Sequence, residues 1–405
     1  MVTRGEQMLA LRRQRMATSP PFLRGGFRPF FFGGPAWAVV ALVLWLAAFG
    51  GAIDLPSAMD PLTWHRHEML FGFVGAVICG FLLTAIPNWT GRLPIAGGPL
   101  AALFALWLAA RLAVLFSAVT GAEPAAILDA GFYVVLAGLA GREVLAAKNR
   151  NQPAVGLVLL LGAANAADHA AAAGLLADTD LGIRAAIGIV VLMISLIGGR
   201  IVPSFTRNWM ARQGIRERLP VQPARFDLAV LGVTALALLG WVVAPDEIAA
   251  GIGLLAAGLL QAARLARWGG LRSARDPLVF VLHAGYAWIS LGLALLAASI
   301  LEPAVPRSAA IHALTAGAMG TMILAVMTRA TLGHTGRELS ASIPTAGIYV
   351  LVTIGAALRV AASLDLLNYT LGLEIAGLAW GGAFILFLAV YGPMLLRAHV
   401  SDPRR

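Results

Sequence analysis

Charge is scarce in this chain: Asp, Glu, Lys and Arg make up 12% of its 405 residues, about half the usual share of ~25%. That scarcity excludes a disordered chain, which stays unfolded through high net charge and few apolar residues. Cysteine is nearly absent. The single Cys79 excludes an intramolecular disulfide and a thiolate cluster, and with them a disulfide-stapled secreted domain. Its place in an apolar run reads as a small buried side chain, with a soft metal ligand as the alternative. Lysine is also scarce, Lys148 being the only one, so nearly all cations are arginine. What is abundant is apolar surface: 59% of the residues, with a mean hydropathy of +0.82. A soluble enzyme has no use for so much. The composition reads as an all-α polytopic membrane protein, and at ~20 apolar residues per crossing the length allows about twelve spans.

Apolar stretches recur at 37–53, 64–86, 99–119, 125–147, 154–176, 183–203, 225–244, 247–266, 277–300, 308–331, 343–362 and 369–396. The expected organisation is a basic cytoplasmic arm over 1–36, a twelve-helix transmembrane domain over 37–396, and a cytoplasmic tail over 397–405. The arm carries Arg4, Arg12, Arg13, Arg15, Arg24 and Arg28 before any long apolar run, unlike a signal peptide. Charge bias sets the orientation. With the N-terminus inside, the inner segments collect most of the cations, among them Arg92, Arg142, Arg150, Arg207, Arg212, Arg267, Arg272, Arg337, Arg404 and Arg405. The outer loops are short and carry Asp54, Asp60, Glu123, Asp178, Asp180, Asp246, Glu302 and Asp365, with Arg307 as the clearest exception. Both termini are therefore expected in the cytoplasm. The net charge of +10 is accounted for by this topology, with the lipid bilayer as partner and no nucleic acid.

Similar strings close the second, sixth and tenth spans at their inner ends. They are Pro87-Asn88-Trp89-Thr90-Gly91-Arg92, Pro203-Ser204-Phe205-Thr206-Arg207-Asn208-Trp209, and Thr328-Arg329 followed by Gly333-His334-Thr335-Gly336-Arg337. A recurrence every four spans suggests three repeats of four helices, against coincidence among helix ends that favour Pro, Gly and Arg in general.

The chemistry available is mostly imidazole: His65, His67, His169, His283, His312, His334 and His399. Ionisable groups in spans are costly and default to functional candidates, and imidazole suits haem iron and copper. The densest cluster is Trp64-His65-Arg66-His67-Glu68-Met69, opening the second span. On a helix His65 shares a face with Glu68 and Met69, while His67 points ~200° away. An interfacial cap with Trp64 in an aromatic belt is the plainer explanation. His312 opens the tenth span at the same expected depth as His65. Ala313, Ala316, Gly317, Ala318 and Gly320 follow it and leave room for a large planar group or for close helix packing. His283 and Tyr286 share a face of the ninth span, where His334 approaches from an inner loop to form a second metal or quinol-head site, or where the pair is structural. Asp168-His169, preceded by Asn165, reads as an interhelical hydrogen bond, with a proton path or a ligand role as the alternatives. Arg111, Asp129, Arg359 and Glu374 are embedded charges that pair with one another or with propionates. No Walker loop, Rossmann fingerprint or nucleophile elbow occurs in a credible setting.

The strings Phe27-Arg28-Pro29-Phe30-Phe31, Trp64-His65-Arg66-His67-Glu68-Met69-Leu70-Phe71-Gly72-Phe73 and Pro87-Asn88-Trp89-Thr90-Gly91-Arg92 resemble the NnrS family. So do Gly198-Gly199-Arg200-Ile201-Val202-Pro203, Leu282-His283-Ala284-Gly285-Tyr286-Ala287-Trp288 and the run from His312 to Arg337. The resemblance implies a twelve-span bacterial inner-membrane protein containing haem and copper, linked to nitric oxide metabolism and resistance to nitrosative stress. A looser likeness connects the four-span recurrence and the His65/His312 placement to haem–copper oxidases and nitric oxide reductases. Spans six and seven contain no histidine, however, so those enzymes' binuclear centre has no equivalent positions here, and fold analogy confers no function.

Two readings follow. The first is a haem-binding, copper-containing membrane protein of the nitric oxide response, an oxidoreductase acting on nitric oxide or quinol if it turns over at all. Haem b would be held by His312 with His65 or His67, contacted by Arg66, Glu68 and Tyr286, with His283 and His334 as further metal ligands. The second is a transporter for a metal or metal complex without redox turnover, built on broken helices near the midplane. Histidines gathered at helix ends favour the cofactor.

Overall fold

The computed structural model describes residues 18–149, 151–220 and 224–400, together with residues 6, 7, 10, 11 and 14. Arg4, Arg12, Arg13, Arg15, Arg150, Arg404 and Arg405 lie outside the described residues. Among the described residues, twelve helices are long and apolar enough to cross a membrane. They are α1 (Phe27–Phe49), α2 (Pro61–Thr90), α3 (Gly98–Leu115), α4 (Ala122–Ala146), α5 (Gln152–Ala172), α6 (Leu181–Arg212), α7 (Arg225–Val243), α8 (Ile248–Ala266), α9 (Pro277–Leu301), α10 (Arg307–His334), α11 (Ile343–Ser363) and α12 (Tyr369–Leu396). An all-α chain is what a bilayer selects, because a helix satisfies its own backbone polar groups.

Local chemistry sets the ends. The Asp60 carboxylate caps α2 by accepting from the backbone of Leu62 and Thr63 at 3.0 and 3.1 Å, with Pro61 opening the helix. Asp276 does the same for α9 and Ser342 for α11. Two boundaries lie more than four residues from the expected ones. α1 begins at Phe27, inside the expected arm, because Arg28 is buried and donates to the carbonyls of Met394, Leu395 and Arg397 at the end of α12, groups that have no intrahelical donor. α6 runs through Pro203 to Arg212. The proline removes a donor, but Val202, Thr206 and Met210 lie one turn apart and fully buried, so packing carries the helix onward.

The chain forms two compact units. One holds the residues up to Ala186 with His334–Arg337 and the chain from Leu388; the other holds Ile187–Gly333 and Glu338–Phe387. In the second unit, α8 and α9 pack closely because Gly258 has no side chain: a Cβ there would stand 3.1 Å from the Ser290 carbonyl oxygen.

α2 and α10 each contain a π-helical stretch, Glu68–Val74 and Ala313–Met319. The first starts directly after His67 and the second directly after His312. A π stretch widens the turn and displaces carbonyls from their usual donors, which is why it is uncommon and tends to mark functional sites. Aromatic donors take up the displaced carbonyls. The Tyr133 hydroxyl donates to Phe71 at 2.7 Å and the Trp107 indole to Gly72 at 2.9 Å. In the other unit, the Trp380 indole donates to Ala316 at 3.2 Å. Gly75 makes room for Tyr133, whose hydroxyl a Cβ would strike.

Tyr133→Phe keeps the ring and removes the donor, stranding a buried carbonyl. The expected loss is ~1–3 kcal/mol of stability, read as an earlier unfolding midpoint of the detergent-solubilised protein. An unchanged midpoint would show that the hydroxyl does not hold the π stretch.

Candidate functional site

In the first unit, five spans deliver polar side chains to one buried cluster. Asp129 on α4 is fully buried, and its carboxylate is the hub. Oδ2 is bonded to His67 Nε2 at 2.7 Å, to the Asn165 amide at 2.7 Å and to His169 Nε2 at 3.1 Å. Oδ1 pairs with Arg111. The second nitrogen of His67, Nδ1, lies 2.7 Å from Asp168 Oδ2. Arg111 also pairs with Glu68 at 2.8 Å, and the Trp37 indole donates to the same Glu68 oxygen at 2.5 Å. Gly72, inside the π stretch, is required here, since a Cβ would collide with the Glu68 carboxylate and stand 2.8 Å from Arg111.

Three carboxylates (Glu68, Asp129, Asp168) thus face one guanidinium, Arg111. With both imidazoles neutral, the buried charge is minus two. An uncompensated ion in a low-dielectric interior costs several kcal/mol, so the cluster requires two protons or one divalent cation. His67, His169 and Asp129 each offer one ligand atom, and these atoms all lie within 4.8 Å of one another. Two imidazoles and a carboxylate form a ligand set that suits first-row transition metals. Two buried acceptors beside them, Asn165 Oδ1 and Glu68 Oε1, have no hydrogen-bond partner, so the cluster has acceptor capacity left for a cation.

His65 lies on the other side of α2, its ring stacked on Trp45 with centroids 4.0 Å apart. Arg66 pairs with Asp180 at 2.8 Å. Trp64 is fully buried, so it is not part of an interfacial belt. Two loop carboxylates nearby hold their charge. Burial pushes Asp60 up, but hydrogen bonds from Thr63 and Leu62 and the nearby Arg66 outweigh it and hold the group below its ordinary 3.8. Arg184 holds Asp178 below the same value. Because a depressed carboxylate stabilises the fold above its unfolded value, the Asp60 cap is complete above about pH 4 and is lost as pH falls through the lower folded value.

In the second unit, His312 directs Nδ1–H to the Ser308 carbonyl at 2.7 Å. That bond fixes the tautomer and leaves the Nε2 lone pair without a partner, as an axial iron ligand requires. The small residues after it are already used. Trp288 packs against Gly317, where a Cβ would stand 2.6 Å away, and Trp380 fills the space beside Gly320. The space at Gly317 and Gly320 is therefore filled by indoles, so a planar group on His312 would have to lie toward the exposed Ser308. His283 Nε2 bonds Thr206 at 2.8 Å, while Nδ1 lies buried against Gly270 without a partner. The Tyr286 hydroxyl donates to Gln261 at 2.6 Å and accepts from Arg264 at 2.9 Å, with Arg264 paired to Asp227 at 2.8 Å.

His334 belongs to the first unit and packs on Phe27, with ring centroids 5.4 Å apart. The expected site residues thus fall into His65, His67 and His334 in one unit and His283 and His312 in the other. Arg66, Glu68 and Tyr286, expected at a cofactor, are committed to protein partners: Arg66 to a loop carboxylate, Glu68 to Arg111 and Trp37, Tyr286 to Gln261 and Arg264. His67 has Nδ1 on Asp168 and Nε2 on Asp129, so an ion bound at Nε2 would replace the bond to Asp129 and take that carboxylate as a fellow ligand. Sequence reasoning weighed a ligand role for His169 but favoured an interhelical hydrogen bond, and it treated Asp129 only as an embedded charge. The available signal was depth: His67, Arg111, Asp129 and Asp168 each lie within two turns of a helix end on the same side of the unit.

The model of the NnrS protein family matches residues 21–399. The chain belongs to the NnrS family. NnrS proteins are known as haem- and copper-containing membrane proteins linked to nitric oxide metabolism. No curated protein matches the chain. The family assignment agrees with the twelve spans and gives the nitrogen-rich cluster of this NnrS chain a chemical context.

Asp129→Asn removes the anion that faces Arg111, His67 and His169 together. Arg111 keeps Glu68, so the expected loss is that of the charge-assisted hydrogen bonds to Asp129, ~1.5–3 kcal/mol, seen as a lower unfolding midpoint in detergent. Asn165→Ala, which removes only a neutral donor, should cost ~1 kcal/mol. Equal effects of the two would remove Asp129 from the centre of the cluster.

Proposed function

We propose that this NnrS chain holds two metal centres: a haem b ligated by His312 and a copper ion held by His67, His169 and Asp129. The observation that carries the reading is the pair of donor sets. One imidazole has its tautomer fixed and its Nε2 free. A separate buried group of two imidazoles and a carboxylate bears a charge deficit that one divalent ion cancels. A haem iron supplies reversible nitric oxide binding and one-electron redox chemistry. The protein's own part is to hold the imidazole through the Ser308 carbonyl, to keep Asp129 ionised with Arg111, and to exclude water from the cluster. Tyr286, with its hydroxyl fully used, supports a structural role in place of quinol contact. His65 and His334, each packed on an aromatic ring, are further candidate metal ligands within the first unit.

The finer architecture belongs to this proposal as well. Left-handed glycines follow the ends of α2, α6 and α10 at Gly91, Gly214 and Gly336, intervals of 123 and 122 residues. The π stretches begin at 68 and 313, two such intervals apart. Three repeats of four helices, in the manner of the haem–copper oxidases, accord with these spacings. The excess of arginine in alternate loops supports an inner-membrane orientation with both termini in the cytoplasm.

Purified protein should show a Soret band that shifts on addition of nitric oxide. His312→Ala should abolish or change it, and His399→Ala should leave it intact. Copper measured on the same samples should fall at least tenfold in His169→Ala and persist in His312→Ala. Loss of both metals in both variants would refute two separate centres, and a colourless folded protein would refute the haem.

A further inference from the structure

Five arginines are buried among the described residues: Arg28, Arg111, Arg184, Arg264 and Arg359. Four have an anionic or carbonyl partner. Arg111 has Glu68 and Asp129, Arg184 has Asp178, Arg264 has Asp227, and Arg28 has the carbonyls ending α12. Arg359, on α11 and 9% exposed, is the exception. Its guanidinium donates to the Ser363 hydroxyl at 2.5 Å and reaches the Ser308 hydroxyl at 3.5 Å. It lies 5.7 Å from the centroid of the Tyr369 ring. Every one of these groups is neutral, and no carboxylate of the described residues pairs with it. A guanidinium cannot shed its proton to escape this cost, so a buried one without a counter-ion marks a place for an anion.

The position narrows the anion. Ser308 is exposed, and its hydroxyl lies 3.1 Å from that of Ser363 and 3.4 Å from His312 Nδ1. The carbonyl of the same serine fixes the His312 tautomer. The unpaired cation and the imidazole with the free Nε2 are thus joined through one residue, at an end of the unit where Ser308 and Tyr369 are open to the exterior. Two serine hydroxyls and a forked guanidinium form a donor set for a planar oxyanion.

We propose that Arg359, Ser363 and Ser308 bind a carboxylate or similar oxyanion beside His312, the propionate of an iron porphyrin being one source and a free anion such as nitrite the other. The porphyrin source rests on the haem reading above; the oxyanion site does not.

The test uses full-length protein in detergent, prepared without haem, with tryptophan quenching as the readout. Ferric protoporphyrin IX and its dimethyl ester, which lacks the carboxylates, are titrated into wild type, Arg359→Gln, Arg359→Lys and His312→Ala. With a propionate in the site, Arg359→Gln weakens the free-acid porphyrin about tenfold or more, the equivalent of one charge-assisted hydrogen bond. Binding of the ester is unchanged, and Arg359→Lys recovers part of the loss. With a free anion in the site, nitrite weakens porphyrin binding or itself quenches fluorescence in wild type but not in Arg359→Gln. The proposal is overturned if wild type and Arg359→Gln bind both porphyrins alike and nitrite acts on neither. His312→Ala separates the two readings. A preference for free acid over ester that survives in His312→Ala discards the axial ligand and keeps Arg359. Loss of porphyrin in His312→Ala, with no acid–ester difference in any variant, does the reverse.

Discussion

The first unit is organised around the fully buried carboxylate of Asp129, which is shared by Arg111, His67, Asn165 and His169. In a low-dielectric interior such an arrangement is stable only when every member is present, because each is both a cost and another's compensation. Much of the surrounding sequence follows from it. Gly72 is glycine so that Glu68 can reach Arg111. Asp168 occupies the second nitrogen of His67. The π stretch begins on the residue after His67, where the ladder of α2 departs from its regular pattern just as the chain leaves the cluster. The local backbone irregularity and the buried charge are two parts of one arrangement.

The second unit solves a similar problem differently. Its buried guanidinium at Arg264 bonds Asp227 through Nε and Ser195 and Tyr286 through Nη1, so this cation has its carboxylate inside the protein. Among the described residues of this unit, buried atoms without a partner include Nδ1 of His283, Nε1 of Trp241 and the hydroxyls of Ser290 and Thr321, while Arg359 meets only neutral groups. Buried polar groups that bond to one another hold a fold together, whereas those left with unused capacity point to something from outside. On that criterion the His312–Ser308–Arg359 end of the unit is chemically open.

Apolar run length located all twelve spans, since a crossing of ~20 residues is hard to mistake. Their ends were less legible. Arg28 read as part of a solvated arm because its partners are 366 to 369 residues away, at the end of α12. Pro203 read as a stop because the buried stripe through Val202, Thr206 and Met210 is a tertiary fact. His67 and His312 stood out as ionisable groups in apolar surroundings, and the NnrS resemblance rested on contiguous strings that a sequence displays directly. The pairing of His67 with Asp129 and His169 was not visible, because it joins three helices and no spacing along the chain encodes it. The small residues after His312 were ambiguous for the same reason: a glycine records that something is close without saying whether it is Trp288 or a cofactor.

The π stretches carry a mechanical consequence. A wide turn holds one residue more than an α turn, so restoring regular hydrogen bonding across it would swing the preceding segment by about 100° about the helix axis. For α2 that segment carries His67, and for α10 it carries His312. Tyr133, Trp107 and Trp380, by clasping the displaced carbonyls, act as latches against such a twist. An imidazole aimed by a latched, wound-up helix can be re-aimed without moving the helix through the bilayer.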